Sequence, residues 1–257
     1  MLNKNELLID RVKRVVASDI ATGEMLFSIT QIEDPSISTS AESEEIVDAV
    51  GAVVSTLYKA KKAEFSGSNS FFSLDLAAAQ FGGMKIVASS ENKIVVPMNE
   101  TLKVTEEGTI TLSKTPAGKV PVPFIYSITG TDIGTAYKVG SIASATDFSI
   151  TGNKITVPTG LKGSVFVEYS YESENAMMVR NRASAFPSMV RLTIYVLFKD
   201  ICTDSLLYGT IICPRAKLNP ESIEIALTST GKHAFSFSMM KAYCDDNDEL
   251  FSVIVAQ

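Results

Sequence analysis

The sequence has no tryptophan and a single histidine, His233. One histidine excludes a His-rich metal centre and a two-His facial triad. A Ser–His–Asp arrangement would have to use His233, yet Lys232-His233-Ala234-Phe235 is patterned as the start of a strand, and no Gly-x-Ser-x-Gly elbow exists. Without Trp, and with few aromatics near basic residues, there is no stacking platform for single-stranded nucleic acid. Cysteine is scarce too. Cys202, Cys213 and Cys244 are odd in number and form no Cys-x-x-Cys pair, which favours reduced, structural thiols of a cytosolic compartment. The alternative, a Cys202–Cys213 bridge, needs Cα atoms within about 7 Å. Long apolar runs are missing: none approaches the ~18 residues of a membrane span. Asp10, Arg11, Lys13 and Arg14 interrupt Met1–Ala17, so no signal-peptide core forms. The expectation is a chain made and folded inside a cell.

Positive charge is also short. A net charge of −6 argues against wrapping around nucleic acid, which needs clustered Lys and Arg. It does not argue against a surface that nucleic acid slides past. Apolar residues at 46% and charged ones at 20% exclude wholesale disorder. At 257 residues the chain forms one large all-β domain or two modest ones.

Apparent motifs dissolve on inspection. Ser229-Thr230-Gly231-Lys232 fails as a phosphate loop, since Ala226 stands where the first glycine belongs and His233 follows Lys232. Asp245-Asp246-Asn247-Asp248-Glu249 lacks the glycine and distal glutamate of an EF-hand and reads as a solvated turn. Asn99-Glu100-Thr101 is a glycosylation sequon made inert by the missing signal sequence. No cofactor or metal site is expected, and the chain reads as non-enzymatic.

What is present is β pattern. In Val190–Asp200, Val190, Leu192, Ile194, Val196 and Phe198 share one face at period two, while Arg191, Thr193, Tyr195, Leu197 and Lys199 share the other. This long strand is the scaffold of the chain. Arg11–Ala17 and Met25–Thr30 read as strands turning at Gly23, and Ile32–Ser43, polar and holding Pro35, reads as a loop. Thr39 with Glu42 has the form of a capping box, but the apolar run after it is too short for a helix. Ile46–Phe65 reads as two strands turning near Val50–Val53 or near Lys61. Such a hairpin packs either on another subunit or over its own core. Ser70–Gln80, Ala- and Leu-rich, preceded by Asn69 as N-cap and stopped by Gly82-Gly83, predicts the one helix.

From Ile94 to Tyr171 the texture changes to short strands (Ile94–Pro97, Thr109–Leu112, Phe148–Ile150, Lys154–Val157, Val165–Tyr169) between Pro- and Gly-rich turns. We read residues 94–171 as an inserted β-rich module within a core of 1–93 and 172–257. Further strands are expected at Leu206–Pro214, Ile223–Leu227, Ala234–Met239 and Leu250–Ala256.

Ala63-Glu64-Phe65-Ser66-Gly67-Ser68-Asn69-Ser70 followed by Ala77-Ala78-Ala79-Gln80-Phe81-Gly82 resembles the stretch of phage major tail proteins where a hairpin runs into a helix. Leu197-Phe198-Lys199-Asp200, Leu218-Asn219-Pro220-Glu221 and Leu227-Thr228-Ser229-Thr230-Gly231-Lys232-His233-Ala234-Phe235-Ser236-Phe237 are similar to the closing strands of tail tube subunits. The resemblance covers roughly residues 10–90 and 185–257. It implies a β-sandwich or barrel core with one flanking helix, made in the host cytoplasm and destined for the virion tail. It also implies hexameric rings that stack into a β-lined tube, through which viral DNA passes without specific binding. The partners implied are copies of the chain and other tail proteins.

On this reading Ile46, Val47, Val50, Val54, Leu57, Tyr58 and Phe65 are candidates for a subunit interface. Glu42, Glu44, Glu45 and Asp48 are candidates for acidic lumen or loop charge, with a plain solvated surface as the alternative. The loop Ile32–Ser43 and the C-terminal strand would meet the next ring, and the insertion would sit outside the tube. The alternatives are another ring-forming virion component (a tail terminator, a head–tail joining protein, or the inner tube of a contractile particle) and a β-sandwich binding module.

Overall fold

The computed structural model describes residues 6–220, 223–225, 227–228, 231–242 and 248–256. Among them the protein is mainly β, 56% strand and 3% helical, with one helix. Tight contacts divide the chain into two units, Met1–Lys85 with Val179–Gln257, and Ile86–Met178.

The first unit opens with β1 (Leu8–Asp19), β2 (Met25–Ile29), β3 (Ile32–Val47), β4 (Val53–Asn69) and the helix α1 (Leu74–Gln80). The second unit holds β5 (Ile86–Val87), β6 (Ile94–Lys103), β7 (Thr109–Thr111), β8 (Phe124–Thr129), β9 (Asp132–Val139), β10 (Asp147–Thr151), β11 (Lys154–Thr156), β12 (Ser164–Ser173) and β13 (Met177–Met178). The chain then returns to the first unit with β14 (Met189–Lys199), β15 (Leu206–Leu218), β16 (His233–Met239) and β17 (Ser252–Ala256).

In the first unit an eight-stranded sheet runs β2-β1-β14-β15-β16-β4-β3, with β17 also on β15. Strands β2 and β3 are consecutive in the chain yet lie at opposite edges, so the sheet curls into a nearly closed barrel. At the seam a groove of about 450 Å³ separates β1 from β3, lined by Ile9, Val12, Ile37, Phe65 and Val196 among others. The alternation of β14 decides what is inside. Val190, Leu192, Ile194 and Val196 are buried at 3% exposure or less, together with Val15, Phe27, Phe65, Phe235 and Phe237. Phe65 meets Phe235 and Phe237 at ring-centroid distances of 5.7 and 6.3 Å. Burying each such ring contributes roughly 1.5–3 kcal/mol. Leu76 of α1 joins this core.

Several sequence expectations are corrected here. Ile32–Ser43 is not a loop but most of the 16-residue strand β3, so Thr39 and Glu42 cap nothing and instead pair with Ala63 and Lys59. The two limbs of the hairpin are therefore β3 and β4, turning at Asp48–Ala52, and not two strands within Ile46–Phe65. The helix starts later than expected: Ser73, not Asn69, is its N-cap, its Oγ accepting from the Leu76 amide at 3.3 Å. Asn69 ends β4 and donates to the Phe71 carbonyl at 2.5 Å. Strand β15 does not stop at Pro214 but runs on to Leu218. Proline is accommodated because β15 carries an extra residue there, with Leu192 opposite Cys213 and Val190 opposite Ala216. On its other side Pro214 falls between the stretch paired with β17 and the stretch paired with β16.

Cys202 and Cys213 are both free. Cys244, most of the acidic run Asp245–Glu249 and part of Ile223–Leu227 lie outside the described residues; within the latter, Ile225 makes one isolated bridge to His233.

In the second unit a seven-stranded sheet runs β6-β12-β8-β9-β10-β11-β7, and β13 pairs with β5. Its core gathers Ile110, Val122, Ile125, Phe148, Ile155, Val165 and Val167. The hairpin β8–β9 was not expected from the sequence, because Ser127, Thr129 and the polar residues of β9 interrupt its apolar alternation.

Candidate functional site

The most distinctive surface is the β3–β4 ribbon. Its strands, 16 and 17 residues long, span roughly 50 Å at about 3.3 Å per residue. Only its root is packed: Phe65 is 1% exposed and Ala63 4%. At the root Lys232 bonds to Glu33 at 2.5 Å and Asp34 at 3.4 Å. That partner holds the Glu33 carboxyl below its usual range.

From Ser38 to Lys62 nearly every residue is exposed on both faces. A two-stranded ribbon in water has no buried face of its own, so it must be held by pairs across its strands. The register supplies them. Ser40 opposes Lys62, Glu42 opposes Lys59 and Glu44 opposes Leu57, placing these residues on one face. Across that face Lys62 meets Glu42 at 3.3 Å and Lys59 meets Glu44 at 2.7 Å. In solvent each such pair contributes less than about 1 kcal/mol. At the tip Asp48 does more: its Oδ1 accepts from the amides of Val50 at 2.9 Å and Ala52 at 2.8 Å. Gly51, at φ +85°, completes the turn. Bulges at Asp34 and Ala60, with φ of 51° and 52°, bend the ribbon at two points.

The interface candidates fall into two groups. Ile46, Val47, Val50, Val54, Leu57 and Tyr58 all lie on the distal ribbon, from 46% exposed at Ile46 to 91% at Val50. Val53, not singled out from sequence, joins them. Phe65 is corrected: it belongs to the chain's own core and offers nothing to a neighbour. Of the acidic candidates, Glu42 and Glu44 are ion-paired within the ribbon, Asp48 builds its turn and Glu45 sits opposite Thr56.

A second exposed surface lies on the outward face of β1, β14, β15 and β17. Arg14, Tyr195, Thr210 and Ile254 form a row across the four strands. Tyr208 lies in the next row, with the Lys13 ammonium 5.6 Å from its ring centre. Arg191 stands opposite Ser18 on the same face. No reading of the sequence joined these residues, because alternation marks a face as solvent-exposed without saying which strands lie beside it.

His233 is 1% exposed and structural. Its Nδ1 accepts from the Ser73 amide at 3.4 Å, and Nε2 lies 2.7 Å from Gln80 Oε1. Nε2 therefore bears the proton, and Gln80 Nε2 donates onward to the Ala234 carbonyl at 2.8 Å. Burial lowers the pKa of His233. The described residues contain no group of three or more His, Cys, Asp or Glu that could hold a metal ion. Among the described residues no helix is long and apolar enough to cross a membrane.

No curated protein matches the chain. A family model does: that of the YomU/Tube protein family, which matches residues 7–253 and so takes in the barrel, the ribbon and the second unit. Both units and the ribbon thus fall within one family pattern, and the protein belongs to the YomU/Tube protein family, the structural proteins of phage tail tubes.

Proposed function

We propose that copies of this chain close into rings, hexameric by resemblance, and that the rings stack into the tail tube that conducts viral DNA. The observation that supports this most directly is the distal ribbon, whose apolar tip stands clear of the core. Burying Ile46, Val47, Val50, Val53, Val54, Leu57 and Tyr58 on a neighbour contributes on the order of 10 kcal/mol. That is comparable with the cost of fixing one protein on another. A single docked ribbon is therefore weak, whereas a closed ring, in which every chain both gives and receives a ribbon, is stable. On this reading the ribbon contacts a neighbouring subunit, the C-terminal strand and part of the ribbon contact the next ring, and residues 94–171 lie outside the tube. An overall charge of −6 suits a channel from which DNA phosphates are repelled.

Negative-stain electron microscopy of the purified protein across a concentration series tests this. Rings of uniform diameter or hollow tubes are expected, and V50D/V54D should abolish them while leaving the melting temperature unchanged. Because tube subunits can wait for a nucleus, preformed tail tips are also added as seeds, where mass action alone governs growth. Monomers that persist with seeds present, at every concentration up to about 1 mM, would overturn the reading.

A second reading rests on the second unit, where Phe124, Tyr126 and Phe166 line up with ring centroids 6.4 and 6.3 Å apart. Such a row suits sugar rings, and glycan binding lost on deleting 94–171 would favour a binding module.

A further inference from the structure

The distal ribbon is acidic as well as apolar. Ser43–Tyr58 contains Glu44, Glu45 and Asp48 and no Lys or Arg. Lys59, the next residue, already pairs with Glu44, which leaves Glu45 and Asp48 to carry the charge of the tip. Its counterpart in chemistry is the outward face of β1, β14, β15 and β17. There Lys13 and Arg14, both exposed, lie beside Tyr195, Tyr208 and Ile254, themselves 42%, 65% and 51% exposed, and the exposed Arg191 stands two rows further along β14. The carboxylates beside it are engaged locally: Asp10 with Arg11 at 3.5 Å, Asp204 with Lys199 at 2.5 Å, and Asp19 with the amides of Ala21 and Thr22. Among the described residues none covers Tyr195, Tyr208 or Ile254.

We propose that this face is the receptor for the distal ribbon of a second copy, with Arg14 and Arg191 meeting the ribbon carboxylates and Tyr195 and Tyr208 meeting its valines and Leu57. The inference rests on the tube reading above and names the surface that reading leaves open. Three observations favour a second copy over nucleic acid as the occupant. At the centre of the face Ile254 and the rings of Tyr195 and Tyr208 present apolar area that a phosphate backbone leaves uncovered. The ribbon supplies apolar and acidic groups on one element. The net charge of −6 opposes DNA at long range. Ribbon and receptor are different surfaces of one chain, so the contact is head-to-tail, which is the kind that closes into a ring or extends into a filament. Charge pairing of this sort fixes partner and register more than it adds affinity.

The test is a charge exchange. Wild type, R14E/R191E, E44K/E45K and the four-fold combination are compared by sedimentation velocity and electron microscopy. Circular dichroism melts confirm that each is folded. Each reversal alone should raise the concentration needed for assembly by about tenfold or more, and the combination should recover most of that loss. If R14E/R191E assembles like wild type, or the combination is no better than either pair, the receptor lies elsewhere and the tube reading stands. If wild type itself never associates, even with seeds, both fall together. A shift of duplex DNA at low salt that is lost in R14E/R191E would assign the face to nucleic acid and overturn the proposal.

Discussion

His233 and Gln80 hold each other inside the barrel: imidazole Nε2 lies 2.7 Å from the amide oxygen of Gln80, tying the last residue of the helix to the first residue of β16. With Nδ1 already accepting from Ser73, a second proton on the ring would cost that bond as well as the burial of a charge. The folded pKa therefore lies below the ordinary 6.5, so the unfolded chain takes up the proton first. Stability should be level above about pH 6.5 and fall as pH drops through and below it. Urea titrations at a series of pH values check this. H233Q should be less stable at neutral pH and should show a flatter profile between about pH 6.5 and 5. A wild-type curve that rises on acidification in this window would contradict it.

Gly82 follows the helix at φ +66°, and a Cβ there would collide with the backbone of Phe186. Backbone cannot move aside as a side-chain tip can. G82A should lower the unfolding free energy by about 2 kcal/mol or more. G83A, where the nearest atom to a Cβ is 3.4 Å away, serves as the mild comparison. Equal losses for the two would show that the close approach at Gly82 is not what matters.

Tyr169 of the second unit donates to Glu100 Oε1 at 2.6 Å and accepts from the Lys114 amide at 3.2 Å. Burial, and then the bond to Glu100, pushes its pKa up to about 12. Because the folded value exceeds the ordinary 10, this tyrosine supports the fold below pH 10, and the support is lost as pH rises toward 12. Y169F should cost about 1–2 kcal/mol at neutral pH by leaving the amide without its acceptor. It should also shift the onset of alkaline unfolding, followed by tyrosinate absorbance at 295 nm.

At the ribbon tip, D48A removes the acceptor of two amides. The global unfolding free energy should change by less than about 0.5 kcal/mol, because the tip is exposed and touches no core. Amide hydrogen exchange across Glu45–Ser55 should nonetheless speed up several-fold. Faster exchange spread through β14 and β15 would show that tip and barrel are coupled, contrary to expectation.

The sequence spoke clearly where one face of a strand is buried. Val190, Leu192, Ile194 and Val196 alternate without interruption, and β14 is an interior strand of the barrel, paired along its length with β1 and β15. It misled where no face is buried. Ile32–Ser43 looked like a loop because a ribbon exposed on both sides leaves Ser, Thr and Glu free to occupy every position, and Pro35 fits beside a bulge at the open edge. Phe71 and Phe72 suggested an earlier helix start, yet both precede it, and Phe72 stacks on His233 at 5.2 Å. Pro214 suggested a strand end because a bulge opposite Arg191 has no signature of its own. The exposed tip residues could be picked out by their type, but Phe65 could not be told from them. Its burial depends on Phe235 and Phe237, which lie far away in the chain.

The outer rim of β3 has a further consequence. Among the described residues no strand pairs with that rim, so a long row of amides and carbonyls is open to any extended peptide, including another copy. Pro35 withholds a donor, the bulges at Asp34 and Ala60 break the flatness that stacking requires, and Glu42 and Glu44 set like charges against like in any parallel in-register stack. Features that look like ribbon reinforcement thus also guard the open rim against self-stacking, and replacing those glutamates with uncharged residues should favour amyloid-like aggregates.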